Sequence, residues 1–205
     1  MPHEFKGSPA KRLHLGCGRD IKEGWVNVDN VSAAGVNIVC DLDKQPLPVG
    51  DNTYDELLAS HLLEHLHNPL FFMQEMHRVA KAGALLTIKV PYGSSDNAFE
   101  DPTHVRNYFV GSFNYFAQQT YKRADYGYRG DWDTRLIRLF VDGHRYAGKP
   151  KAVVLAEVTL LRNTVLEMHA FLYAIKPVRD VDAKFDGPLI EVIATGHGKP
   201  DEVLV

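Results

Sequence analysis

A chain of 205 residues with 45% hydrophobic and 24% charged residues fits one globular domain, large enough to build its core without disulfide or metal support. Its net charge of −3 argues against a nucleic-acid partner, which selects for clustered Lys and Arg, and no stretch approaches the roughly 20 apolar residues of a membrane helix. The start, Met1 to Lys6, is not a secretory signal, so a cytoplasmic location is expected, with no membrane partner and with Cys17 and Cys40 as reduced thiols.

Residues 1–10, with Pro2, Gly7 and Pro9, read as a flexible arm. Leu13 and Leu15 then alternate with His14 in a buried strand that runs into Gly16 and Gly18. Two glycines where a strand ends let the backbone turn tightly and let a ligand approach it closely. Trp25 to Asp29 is a second apolar strand closing on a carboxylate, the residue type that accepts hydrogen bonds from ribose hydroxyls at that position of open α/β sheets. Val36 to Asp41 repeats the pattern as a third strand. Three strands ending in Gly, Asp and Asp place polar tips along one edge of a parallel sheet. Only Arg19 to Gly24 separates Gly18 from the second strand, whereas a parallel crossover takes a dozen or more residues, so the first helix is expected to be abbreviated to a turn or two.

The turn-rich segment Gln45 to Asn52 leads into a fourth strand, Tyr54 to Ala59. Asn68 and Pro69 read as N-cap and first residue of a helix that Gly83 stops, with Phe72, Met73, Met76, Val79 and Ala80 as its core face. Ala84 to Val90 is a fifth strand, ended by Pro91. Residues 92–150 break the rhythm: 13 of the chain's 21 aromatic residues fall between Tyr92 and Tyr146. They build the core of an insertion, or wall an apolar substrate cleft, or both. Lys151 to Leu161 has strand-like content. Asn163 to Ile175 has helical spacing, with a hairpin strand as the alternative, and Leu189 to Ala194 is a last strand.

Leu15 to Gly18, Gly24 to Asp29, Asp41 to Pro48 and Asp51 to His65 resemble the successive motifs of class I S-adenosylmethionine (SAM) dependent methyltransferases, and Asp101 to Arg106 resembles a segment of bacterial members that act on small molecules. The resemblance implies an α/β, Rossmann-like fold: a seven-stranded, mostly parallel sheet with helices on both faces and a substrate lid over 92–150, all in one domain over 1–205; the abbreviated first helix and the missing third glycine depart from the family's pattern. It implies a methyl transfer to an O or N atom of a small-molecule acceptor. In the turn formed by Leu15, Gly16, Cys17 and Gly18, the glycines would meet the methionine part of SAM. Asp29 would hold the ribose, Asp41 with Leu42 would border the adenine, and Ser60 and His61 would face the methyl donor. A monomer or homodimer is expected.

Such a displacement needs alignment and no protein nucleophile, but an O or N acceptor profits from a base titrating near neutrality. His104 with Asp101 as its orienting acid, and His61, are the candidates; His65, beside Glu64, reads as a tether of the adjoining helix. His61, Glu64 and His65 also match the inverted zinc-hydrolase signature. A strand precedes them and Pro69 interrupts soon after, so no metal is expected. The other rivals are an NAD(P)-binding oxidoreductase, which lacks the third glycine and full helix for a pyrophosphate, and a SAM-binding protein without catalysis.

Overall fold

The computed structural model describes residues 10–121, 126–146, 148–196 and 199–203; apart from Ala10, the expected amino-terminal arm lies outside them. The apolar runs of the first half fold as β1 (Arg12–Leu15), β2 (Val26–Asp29), β3 (Ile38–Val39), β4 (Tyr54–Ser60) and β5 (Ala80–Pro91). Four more strands follow, β6 (Trp132–Asp142), β7 (Val165–Ala174), β8 (Leu189–Gly196) and β9 (Lys199–Val203). All nine join one sheet in the order β3-β2-β1-β4-β5-β7-β6-β8-β9. β1 to β5 are mutually parallel, β7 runs antiparallel between β5 and β6, β8 is parallel to β6, and β9 is antiparallel to β8. The α/β class and Rossmann-like order are as expected; the count is nine strands instead of seven, because β8 and β9 extend the sheet beyond β6.

Among the described residues five α-helices accompany the sheet, α1 (Pro69–Val79), α2 (Asn97–Glu100), α3 (Gln118–Tyr121), α4 (Gly143–Tyr146) and α5 (Lys151–Leu160), with 3-10 turns at Leu63–His65 and Ser112–Phe116. The Asn68 side chain accepts from the Phe71 amide, Pro69 opens α1, and Phe72, Met73, Met76 and Val79 are buried. The helix stops at Val79, not at Gly83: Ala80 already pairs with Tyr54, and Gly83 lies within β5.

The helices expected on both faces are missing from one. Residues 16–25, 30–37 and 40–53, which link β1 through β4, contain turns and no helix, so even the abbreviated first helix is absent. Leu13, Leu57, Leu86, Ile88, Ala170, Leu172 and Ile137 pack into the core with α1, α4 and α5. The opposite face carries Glu56, Thr87, His169 and Arg138, which stay half-exposed. It is an amphipathic surface held by Arg138 against Glu191 at 2.8 Å and over Phe171, and by Arg135 over Tyr173.

At the β1–β2 end a polar knot replaces the first helix. The Lys22 amide donates to Asn27 Oδ1 at 3.0 Å, Asn27 Nδ2 donates to the Lys22 carbonyl at 3.0 Å, and the Asn27 amide donates to Asn37 Oδ1 at 2.7 Å. Buried His14 donates from Nδ1 to Asn27 Oδ1 at 3.3 Å, which closes the loop on the strands without apolar helix packing.

Burial pushes His14 below its ordinary 6.5, and likewise His77, whose Nε2 donates to the Ile175 carbonyl at 3.1 Å. A histidine neutral in the folded state and more basic when unfolded leaves stability intact above about pH 6.5 and removes it as the pH falls below that value. On going from pH 7.5 to pH 5.5, the urea midpoint of the parent is expected to fall relative to that of the His14→Gln/His77→Gln double variant. An identical change of midpoint in the two proteins would refute it.

Two segments exchange roles relative to expectation. Lys151 to Leu161 is helical because Val154 and Val158, four residues apart, are the positions that reach the core, behind Pro150 at the N-cap. Val165 to Ala174 is a strand, the alternative reading, because Met168, Ala170, Leu172 and Ala174 alternate inward. The insertion is also shorter than expected: Trp132 to Asp142 is a strand of the sheet, so only about residues 92–131 stand outside it. There Tyr108, Phe113, Phe116, Tyr121 and Tyr128 are buried and continue the core of the sheet, while Phe99, Phe109 and Tyr115 stay exposed.

Candidate functional site

The carboxyl ends of β1, β2 and β3 meet at one edge. Gly16 and Gly18 both hold positive φ, +62° and +49°, the left-handed region that glycine enters without penalty. A Cβ on Gly16 would lie 2.9 Å from Leu62 Cδ1, so the turn is pressed against the segment after β4. A Cβ on Gly18 would meet nothing within 4 Å: that side of the turn faces open space. The Gly18 amide donates to Asp29 Oδ2 at 2.8 Å and the Val31 amide to Oδ1 at 3.0 Å, which fixes the carboxylate beside the glycine turn. Asp41, after β3, accepts from Lys44 Nζ at 2.8 Å and from the Asp43 amide, and both contacts hold its carboxyl below the usual range. The side chains of Leu15, Cys17 and Leu42 are buried, Leu15 and Leu42 in the core, so of these residues only the backbone can meet a ligand.

Ser60 ends β4, and His61 follows with a φ of +50°, a strained value for a residue with a Cβ. Its ring is gripped from two sides: Nε2 is 3.4 Å from Glu167 Oε2 and Nδ1 is 3.4 Å from Glu64 Oε1. These carboxylates, Glu167 first, raise the imidazole to about 10. Burial opposes ionisation of Glu167, but its hydrogen bonds to His169 and His61 prevail and hold it at about 2. His61 is therefore an imidazolium at neutral pH, able to donate and unable to accept a proton.

Asp101 does not orient His104 as expected. Its Oδ1 accepts from the Thr103 hydroxyl at 2.6 Å and the Thr103 amide at 2.8 Å, and its Oδ2 is 3.9 Å from His104 Nε2, beyond hydrogen-bond reach. His104 instead donates from Nδ1 to the Ala98 carbonyl at 3.3 Å, and its ring meets that of His65 edge-on at 4.8 Å. The segment is clamped onto the turn after β4: the Val105 amide donates to the Glu64 carbonyl, Arg106 to the carbonyls of Leu66 and His67, and Tyr108 to that of Leu63. Glu64 stood beside these histidines in the sequence, but Glu167 and His169 carried no such signal: Glu167 lies 106 residues after His61 and meets it only through sheet topology.

Past the end of β5 lies a cleft of about 430 Å³ walled by Tyr92, Phe99, Phe109, Val158 and Leu161, with Arg162 at its rim. Gly93 lies against the Phe109 ring, where a Cβ would fall 2.6 Å from it. A larger cavity, about 540 Å³, opens at the ends of β6 and β8 between Asp142, His144 and Thr195, with β4, β5 and β7 between it and the glycine turn on β1. The first is the one next to the end of β5, and it has the apolar lining suited to a small organic ligand.

Residues 8–88 match the family described as methyltransferase domain. Among solved structures, a SAM-dependent methyltransferase from Archaeoglobus fulgidus is similar at 17% identity and a TM-score of 0.58, over 81% of this chain and 86% of that one. A SAM-dependent methyltransferase from Mesorhizobium loti follows at 13% identity and a TM-score of 0.52, over 80% and 90%. The YcgJ protein of Bacillus subtilis gives 14% identity and a TM-score of 0.51, over 81% and 92%. Curated protein sequences yield no match. No helix among the described residues is long and apolar enough to cross a membrane.

Proposed function

We propose that the chain is a class I SAM-dependent methyltransferase and that it methylates an oxygen or nitrogen atom of a small-molecule acceptor held in the aromatic cleft past β5. The observation that carries the reading is the meeting of Gly16, Gly18, Asp29 and Asp41 at one sheet edge, with open space before Gly18. That edge fits an adenosyl sulfonium: two side-chain-free residues for close approach, and a carboxylate fixed by the turn's own amide for the ribose hydroxyls. Bound there, SAM supplies an electrophilic methyl on a positively charged sulfur.

The chain's own contribution is alignment and exclusion of water. Tyr92, Phe99 and Phe109 hold the apolar body of the acceptor, and His61, kept as an imidazolium by Glu167 and Glu64, donates hydrogen bonds at the strand tip instead of taking the acceptor's proton. An oxidoreductase reading is disfavoured, because the turn after β1 leads into no helix whose N-terminus could receive a pyrophosphate.

Calorimetry tests the cofactor edge. Asp29→Ala is expected to weaken SAM by about 1–3 kcal/mol, the range for loss of a charged hydrogen-bond partner. Unchanged affinity would remove Asp29 from the site, and SAM binding without turnover of any hydroxylated or aminated acceptor in a broad panel would leave a binding protein instead of an enzyme.

A further inference from the structure

We infer that Glu64, His65 and His104 form a binding site for a first-row divalent cation, with zinc as the best match. The three offer one carboxylate oxygen and two imidazole nitrogens, all within 4.8 Å of one another. This set differs from the linear signature of His61, Glu64 and His65, since His61 is turned toward Glu167 and the second imidazole comes from residue 104.

Glu64 is the first argument. Its side chain is 2% exposed, and neither carboxylate oxygen has a hydrogen-bond partner. A buried carboxylate without donors is costly, by several kcal/mol in general, and such groups are found paired or on metals. His61 stands 3.4 Å away without hydrogen-bond geometry and shares its single charge with Glu167.

The histidines are the second argument, because their partners fix the tautomer of each. The Thr103 hydroxyl donates its proton to Asp101 Oδ1 at 2.6 Å, so its oxygen must accept from His65 Nδ1 at 3.0 Å. His65 Nε2 then keeps its lone pair. His104 Nδ1 donates to the Ala98 carbonyl at 3.3 Å, and its Nε2 likewise keeps its lone pair. A carbonyl or a hydroxyl–carboxylate relay that accepts from Nδ1–H is the outer-shell arrangement that orients metal-binding imidazoles. Ligand atoms of a tetrahedral site stand about 3.4 Å apart, given bond lengths of about 2.0–2.2 Å. A bound cation would draw the ligand atoms, which lie within 4.8 Å of one another, to that spacing.

Two nitrogens and one oxygen select against calcium and magnesium, which take oxygen ligands, and for the zinc side of the first row. The cation would pin the 101–106 segment to the turn after β4, and it would occupy the His104 nitrogen that a base would need. The inference is independent of methyl transfer, since its readout is the metal itself.

The full chain, stripped with chelator and titrated with Zn²⁺ by calorimetry, is expected to bind one equivalent, and Co²⁺ to give the visible absorption of a low-coordinate imidazole site. H104A and H65A should each weaken Zn²⁺ at least tenfold. T103V, which removes only the relay, should weaken it by about tenfold. H144A, at a distant histidine, should match the parent. If H104A or H65A unfolds by circular dichroism, T103V and the Co²⁺ spectrum of the parent carry the test. Absence of a stoichiometric site in the parent, or equal Zn²⁺ affinity in the parent and the folded cluster variants, would overturn the inference.

Discussion

Replacing Asp131 with alanine should lower the unfolding free energy by about 3–5 kcal/mol, the loss typical of breaking a buried ion pair from one side. Asp131 is fully buried at the entrance to β6, and Arg179 clasps it with two parallel hydrogen bonds, Nε to Oδ2 at 2.9 Å and Nη2 to Oδ1 at 2.8 Å. The Arg179 amide adds a third at 2.9 Å and the Gln118 amide a fourth at 3.3 Å. Alanine would strand two amides and leave the partly buried guanidinium only its long contacts to Asp133 and the Trp132 carbonyl, each at 3.5 Å. The guanidinium, raised by Asp131, cannot discharge itself to escape the cost. Asp131→Leu combined with Arg179→Met should recover part of the loss, because an apolar pair has no charge to bury. Urea denaturation monitored by Trp fluorescence reads both, and a loss under about 1 kcal/mol for the single variant would contradict the weight given to this buried pair.

The glycine turn yields the second large effect, and its two glycines should fail in different ways. Gly16→Ala must place a Cβ at a φ of +62° and 2.9 Å from Leu62, so it should lower the stability of the protein and its affinity for SAM together. The left-handed conformation alone costs about 1–2 kcal/mol, before Leu62 is displaced. Gly18→Ala carries a similar strain but meets no atom within 4 Å, so the added methyl stands in the open space where the ligand is expected. Its SAM affinity should fall by about tenfold or more while the melting temperature changes less than in Gly16→Ala. Thermal melting and calorimetry on the same preparations separate the two; equal SAM affinity in Gly18→Ala and the parent would place the ligand elsewhere.

Much of this was legible in the sequence where the signal is local. Leu13 and Leu15 before Gly16, and Val26 and Val28 before Asp29, state both the strand and its end, and Asn68 with Pro69 states the start of α1. Where composition is ambiguous, context decided. Lys151 to Leu160 is rich in β-branched residues yet helical, since only Val154 and Val158 have a core to reach; Val165 to Ala174 has apolar residues on both faces, which hides its alternation. The short spacing from Gly18 to Gly24 announced a reduced first helix but not its complete absence, because His14 and Asn27 replace apolar packing with a hydrogen-bonded knot that no periodicity announces. The partners of His61 and Asp131 were equally hidden: Glu167 and Arg179 arrive from 106 and 48 residues downstream.

The placement of β7 has a bearing on how the chain comes to be folded. Because residues 165–174 insert between β5 and β6, the segment matched by the methyltransferase family ends in a raw strand border until they emerge from the ribosome. Pairings such as Lys89 with His169 close a loop of 80 residues, so the entropy of that closure is met late and the sheet completes in one concerted step. A fragment stopping at residue 131 would therefore expose β5 as an unsealed seam and would be expected to self-associate instead of standing alone as a domain.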